Sequence, residues 1–364
     1  MTALRITPTA TPTAPEDRAA LLRDPGFGRI FTDHMAVIRF DRAQGWHDGQ
    51  VTARAPFALD PAASVLHYAQ EIFEGLKAHR AADGRVVLFR PRENARRLNA
   101  SARRMAMPDL PEDMFIEAIE ALVRADVDWI PEAEGSSLYL RPFMFASEAF
   151  LGVRPANEYI FSVIASPVGP YFKGGAKPVS IWVSKDQPRA APGGTGAAKC
   201  GGNYAASLAA QERAQAEGCD QVLFLDATGG GHIEELGGMN IFALRDDGVL
   251  VTPPLTGTIL AGITRDSLIQ LARDAGHDVA EEPITWDQLR TDAQSGRVTE
   301  VFACGTAAVV APIGSFRAED GDQTAHVTIG DGRPGPVTEA LRARLTGIQR
   351  GTEADPHGWV HPVA

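Results

Sequence analysis

The chain is short of cysteine, of lysine and of long apolar runs, and each shortage excludes a class of protein. Its three cysteines, Cys200, Cys219 and Cys304, are odd in number and show neither pairing nor metal-ligand spacing. A disulfide framework and a metal site are therefore not expected, and a reducing compartment, the cytoplasm, is. No stretch approaches the roughly 18 consecutive apolar residues of a membrane helix. The Thr/Pro/Ala run from Thr7 to Pro15 lacks the basic start and apolar block of a signal peptide. Basic residues are also outnumbered, 35 against 46 acidic, for a net charge of −11. Nucleic acid and anionic membranes reward the opposite balance, so a small molecule is the expected partner.

Of the basic residues only five are lysines, at positions 77, 173, 177, 185 and 199. Any chemistry that needs an amine nucleophile has those five candidates. With 364 residues and 44% hydrophobic composition, the chain is long enough for two cores. Residues 1–24 are polar and aperiodic and read as a flexible arm. Residues 25–170 alternate strand-like runs (Met35–Phe40, Val86–Phe89, Leu138–Met144, Tyr159–Ile164) with helical ones (Arg92–Met105, Pro111–Arg124), the pattern of a small α/β domain. Residues 171–178, rich in Gly and Lys, read as a linker. A larger domain, 179–364, then opens with the strand Val179–Ser184, an Ala-rich helix over Ala205–Glu217 and the strand Val222–Leu225. Gly229–Gly231 reads as a hairpin turn.

Lys199 lies in Gly193-Gly-Thr-Gly-Ala-Ala-Lys-Cys-Gly-Gly-Asn-Tyr204, a segment of small residues. A free lysine titrates near about 10.4 and is a weak nucleophile unless its surroundings change that. Small neighbours allow a cofactor to approach the backbone. Taken alone, the segment fits an exposed lysine in a glycine loop as well as a nucleophile.

This segment resembles the cofactor-lysine segment of branched-chain amino acid aminotransferases, the fold type IV group of pyridoxal-phosphate enzymes. Further blocks recur in that family's order: Leu66-His-Tyr-Ala-Gln-Glu-Ile-Phe-Glu-Gly-Leu-Lys77, Leu138-Tyr-Leu-Arg-Pro142, Ser166-Pro-Val-Gly-Pro-Tyr171, Glu235-Leu-Gly-Gly-Met-Asn240, Thr252-Pro-Pro-Leu255, Gly262-Ile-Thr-Arg265 and Gly305-Thr-Ala307. The resemblance spans about Phe27 to Gln349. It implies a two-domain α/β fold of α+β type, with pyridoxal 5′-phosphate (PLP) at the domain interface. The implied reaction is reversible transfer of the amino group of leucine, isoleucine or valine to 2-oxoglutarate, giving branched-chain 2-oxo acids and glutamate.

The resemblance also implies roles. Lys199 is the Schiff-base lysine and the acid/base at the substrate Cα. Glu235 faces the pyridine nitrogen, while Glu234, next to it on a strand, should point the other way. Ile263 and Thr264 offer backbone N–H groups at a helix start, and Thr306 a hydroxyl, to the phosphate. Arg97 is the phosphate guanidinium, and Tyr204 bonds the phenolic oxygen. Phe27, Tyr68, Phe73, Tyr139 and Arg141 form the substrate wall, and Ala307 helps receive the α-carboxylate. Leu151 and Val153 complete the neighbouring subunit's pocket, so a homodimer is implied.

Two departures stand out. Gly238 occupies a position where many relatives have threonine. The Cys-x-x-Cys of the animal enzymes is Ala308 and Ala311 here, which removes that thiol switch. Other readings are D-amino-acid transaminases or a chorismate-derived lyase within the same fold, and a protein that only stores the cofactor. The last would need no acid at the pyridine nitrogen and no aromatic wall.

Overall fold

The computed structural model describes residues 4–170 and 177–363. Contacts divide the chain into two compact units, one of Met1–Tyr171, Ala198–Gly201 and Gly347–Ala364, the other of Phe172–Ala197 and Gly202–Thr346.

The first unit is built on a nine-stranded sheet whose centre is His34–Asp41, Glu158–Val168, Ser137–Ala146 and Leu76–Arg80, each antiparallel to the next. Strand periodicity sorts the side chains. Leu76, Ala78, Leu138 and Leu140 face a core shared with Leu98 of the helix Pro91–Arg104 and with Ile116, Ile119 and Leu122 of the helix Glu112–Ala125. The other face of the same strands therefore carries Lys77, His79, Tyr139 and Arg141. That second face is mixed, with Met35, Val37, Phe143, Phe145 and Ile160 forming a smaller apolar cluster on it.

The expectation for residues 1–24 is corrected. Arg5–Ile6 pairs with Gln50–Val51, and Pro15–Leu22 is a helix. The arm is held by polar bonds: Thr13 Oγ1 donates to Asp33 at 2.6 Å, and the Thr9 amide donates to His34 Nε2 at 2.9 Å. Such bonds leave no apolar period in the sequence. Of the expected linker 171–178, residues 171–176 lie outside the described residues.

The second unit also holds a nine-stranded sheet, centred on Val309–Asp320 between Val179–Ser184, parallel to it, and Val298–Gly305, antiparallel. The Gly229–Gly231 turn joins Gln221–Leu225 to Ile233–Leu236 as an antiparallel pair, with positive φ at Gly229 (79°) and Gly231 (69°). The expected Ala205–Glu217 helix is broken into Gly201–Ala205 and Leu208–Ala216. At the break Ser207 gives both its amide, at 3.0 Å, and its hydroxyl, at 2.7 Å, to the Tyr204 carbonyl.

Two segments expected in the second domain group with the first unit. One is Ala198–Gly201, for reasons given below; the other is the C-terminus, where Val360–Pro362 pairs with Val87–Phe89.

Candidate active site

Lys199 is fixed by its backbone. Its amide donates to Ser101 Oγ at 2.9 Å and its carbonyl accepts from the Phe73 amide at 2.9 Å. The next-but-one amide, Gly201, donates to the Glu71 carboxylate. Ser101 sits on the helix Pro91–Arg104 and Phe73 ends the short strand Glu71–Phe73. These three bonds are why the lysine segment belongs to the first unit although the chain on both sides belongs to the second. The ammonium lies over the Phe73 ring, 4.8 Å from its centre.

Around Lys199 the first unit gathers most of its expected residues. Arg141 lies over the Phe73 ring at 4.8 Å and over Tyr139 at 5.3 Å, and donates to Tyr139 Oη at 2.9 Å. The Phe27 and Tyr139 rings are 5.2 Å apart. The Tyr68 hydroxyl donates to the Leu151 carbonyl. Leu151 and Val153 are exposed, 60% and 89% accessible.

Arg97 is engaged by a residue that the sequence reading passed over. Its Nε and Nη2 donate to Glu74 Oε1 and Oε2 at 2.8 and 2.9 Å. Glu74 is wholly buried and also accepts from Asn94 Nδ2 at 2.8 Å and from the Gly75 amide at 3.2 Å. Burial pushes this carboxyl up, but the charge and hydrogen bonds of Arg97, with Lys199 and Asn94, hold it below the usual carboxylate range. Glu74 lies in the Leu66–Lys77 block, which holds two acids, Glu71 and Glu74, and its place between Phe and Gly is the only signal there.

In the second unit Glu235 and Arg189 are both buried, with Arg189 Nη2 3.4 Å from Glu235 Oε2. The Leu260 amide donates to the other Glu235 oxygen. Glu234 is buried as well and accepts from Thr258 Oγ1 at 2.5 Å. Burial raises its pKa, with Thr258 and Arg189 opposing the rise and Asp226 adding to it. The two carboxylates thus grip one loop at Thr258 and Leu260, and Arg189 Nη1 adds a bond to the Thr258 carbonyl at 3.2 Å. Nothing in the sequence marked Arg189 or Thr258.

That loop runs into the helix Ile263–Asp274. Its N-cap Gly262 has extended backbone and supplies no side-chain cap to the first amides, the arrangement that suits an anion. A Cβ at Gly262 would stand 1.9 Å from Asn240 Oδ1, and Asn240 Nδ2 in turn holds the Leu260 carbonyl at 3.0 Å. Only glycine fits between them. Thr306 and Ala307, half-buried, lie in the turn between Val298–Gly305 and Val309–Asp320. The Gly238 departure has a physical counterpart, since a Cβ there would lie 3.1 Å from Tyr204 Cε1 and 3.4 Å from its Oη. A side chain there would press against the tyrosine ring, which would have to give by a few tenths of an ångström.

All three cysteines are free and buried. Burial pushes the Cys304 thiol far up, so it has almost no thiolate to offer an oxidant. Mild peroxide is expected to leave activity unchanged in both the native protein and a Cys304→Ala variant; an oxidant-reversible loss that the substitution abolishes would contradict this. Among the described residues no His/Cys/Asp/Glu group could hold a metal, and no helix is long and apolar enough to cross a membrane.

The chain matches the amino-transferase class IV family over residues 71–316. It is 56% identical over 362 residues, 99% of each chain, to the probable branched-chain-amino-acid aminotransferase of Streptomyces coelicolor. Its fold is similar to the branched-chain amino acid aminotransferase from Escherichia coli, with TM-score 0.73, 31% identity and coverage of 91% of this chain and 99% of that one. It is also similar to the branched-chain amino acid aminotransferase from Thermobaculum terrenum in its PLP form, at TM-score 0.70, 26% identity and coverage of 90% and 98%. A pinned lysine over an aromatic ring, a buried carboxylate held by arginine, an uncapped helix start and these likenesses converge: the chain belongs to the class IV aminotransferases, in the branched-chain-amino-acid aminotransferase family.

Proposed function

We propose that this enzyme transfers the α-amino group of leucine, isoleucine or valine reversibly to 2-oxoglutarate, with pyridoxal 5′-phosphate as cofactor. The observation that carries this reading is Lys199: a lysine whose backbone is fixed on both sides and whose amine lies against an aromatic face. The PLP form of the Thermobaculum terrenum relative supports the choice of cofactor.

The residues present suit the cofactor by their donor chemistry. Bound, it supplies an aldehyde that receives the amino group and a ring that takes up negative charge. Lys199 would hold the aldehyde through its amine and, once released, move the proton at the substrate Cα. Arg97, the amides of Ile263 and Thr264, and the Thr306 hydroxyl would hold the phosphate. Glu235, kept in place by Arg189, would hold a proton on the pyridine nitrogen, and Tyr204 would donate to the phenolic oxygen. Phe27, Phe73 and Tyr139 offer apolar surface to a branched side chain. Arg141 offers a cation to the distal carboxylate of a dicarboxylic partner, and the Ala307 backbone suits the α-carboxylate. Leu151 and Val153, exposed with Tyr68, suit a homodimer in which they close the second protomer's pocket. The buried free cysteines agree with a cytoplasmic setting.

The test is a visible absorbance spectrum of the purified protein. A yellow band is expected that leucine shifts to that of the amine form and 2-oxoglutarate restores. A protein that stays colourless with added cofactor would sink the assignment of Lys199.

A further inference from the structure

Four bonds close a ring around Lys199. Its amide meets Ser101 of the helix Pro91–Arg104; one and two turns back along that helix, Arg97 and Asn94 meet Glu74; and Phe73, next to Glu74, meets the Lys199 carbonyl. Glu74 closes the circuit. Its own amide donates to the Pro142 carbonyl at 2.7 Å, and the following Gly75 leaves no room for a side chain, since a Cβ there would stand 2.3 Å from Tyr139 Oη. The carboxylate is therefore on a turn held from both sides.

Two parallel bonds from Nε and Nη2 fix the plane of the Arg97 guanidinium as well as its position, which a single contact would not. A wholly buried carboxylate is costly unless all its demands are met, and the four donors on Glu74 meet them.

We propose that Glu74 is a positioning residue that fixes the spacing between the Lys199 amine and the Arg97 guanidinium, so that a ligand bearing both an aldehyde and a phosphate is held at two points at once. This rests on the cofactor reading above and adds to it a residue that touches no ligand. Without Glu74, Lys199 keeps its backbone anchors, and so its reaction with an aldehyde, but the benefit of the phosphate is lost.

The experiment compares binding of pyridoxal phosphate and of phosphate-free pyridoxal to cofactor-stripped protein by absorbance titration. The proteins are the native chain, Glu74→Gln, Glu74→Asp, Arg97→Lys and the Glu74→Gln/Arg97→Lys pair. Glu74→Gln is expected to lower the preference for the phosphorylated form by about tenfold or more, the scale of one lost charge-assisted hydrogen bond. Pyridoxal binding should change by a smaller factor than binding of the phosphorylated form, through the loss of the Glu74 charge near Lys199. Glu74→Asp should recover part of the preference, and the pair should be no worse than Arg97→Lys alone, because Glu74 acts through Arg97. Should Glu74→Gln not fold, Asn94→Ala, which removes one donor and no charge, is expected to lower the preference in the same direction by a smaller factor.

A preference unchanged in Glu74→Gln and Asn94→Ala but reduced in Arg97→Lys overturns the role of Glu74 and spares that of Arg97. Additive losses in the pair do the same. A preference unchanged in Arg97→Lys overturns both, and a native protein that binds neither aldehyde overturns the cofactor reading itself.

Discussion

Replacing Lys199 by alanine is expected to abolish amino-group transfer, slowing it by at least about a thousandfold, while the protein stays folded. Both parts follow from how the residue is held. The anchors are main-chain groups, the amide to Ser101 and the carbonyl from Phe73, and alanine keeps them. The folding side loses the charge of the side chain, which lies over the Phe73 ring, a contact worth about 0.5–1 kcal/mol where water still reaches it, and which also acts on the buried Glu74 carboxylate. The chemistry loses its amine altogether. Lys185 is no substitute, because it bonds the Glu319 carbonyl at 2.5 Å. The checks are a far-ultraviolet circular dichroism spectrum and melting curve against single-turnover absorbance with leucine. Native-like melting with no turnover is the expected pair; turnover near the native rate would remove Lys199 from the mechanism.

The parts of this molecule that were legible in the sequence are those with a clear apolar run or a glycine at a boundary. Val86–Phe89 and Val179–Ser184 have the bounds that their apolar runs announce, and the helix Ile263–Asp274 starts where Gly262 ends an extended segment. Strands whose polar residues break the apolar run were not legible. Leu76–Arg80 places Lys77 and His79 on one face, and Gly45–Ala53 carries His47, Asp48 and Gln50, so neither shows a run of apolar residues.

The candidate site divides in the same way. Residues in contiguous motifs, Lys199, Glu235 and Tyr204, could be named by resemblance, because a motif preserves order along the chain. Their supports could not. Ser101 and Arg189 reach the site from segments with no motif of their own, and what makes them matter is a hydrogen bond or ion pair to a residue far along the chain or in another element. Glu234 shows the limit of strand alternation: it separates two neighbouring carboxylates onto two faces but does not reveal that both faces are covered.

The polar face of the first sheet carries the second large effect, a loss of stability in acid centred on His79. This histidine is 6% exposed, and neither ring nitrogen has a hydrogen-bond partner among the described residues. Burial first, then the positive charges of Lys77 and Arg350, pull its pKa down from 6.5 to about 3. Lys77 is on its own strand; Arg350, at the end of the helix Pro336–Arg350, donates to the Ser136 carbonyl, and the carboxylate of Glu134 acts on Arg350 in turn. In the unfolded chain the imidazole takes a proton as the pH falls through about 6.5, while in the folded protein it stays neutral until about 3. The unfolded state therefore binds the extra proton across that window, and folding loses stability as the pH falls, by up to about 1.4 kcal/mol per pH unit. Across the window that approaches ~5 kcal/mol, a large share of the roughly 5–15 kcal/mol of an ordinary domain. Lys77, pulled down to about 8 mainly by burial, has the same sign but acts elsewhere: it adds stability as the pH rises above about 8 and leaves the acid limb alone. Urea melts of the native protein and of His79→Phe, taken from pH 7 to pH 4, separate the two. The native stability is expected to fall steeply below pH 6.5, and the variant, with no imidazole to protonate, to fall less by most of that amount; parallel curves would show that acid acts through other groups.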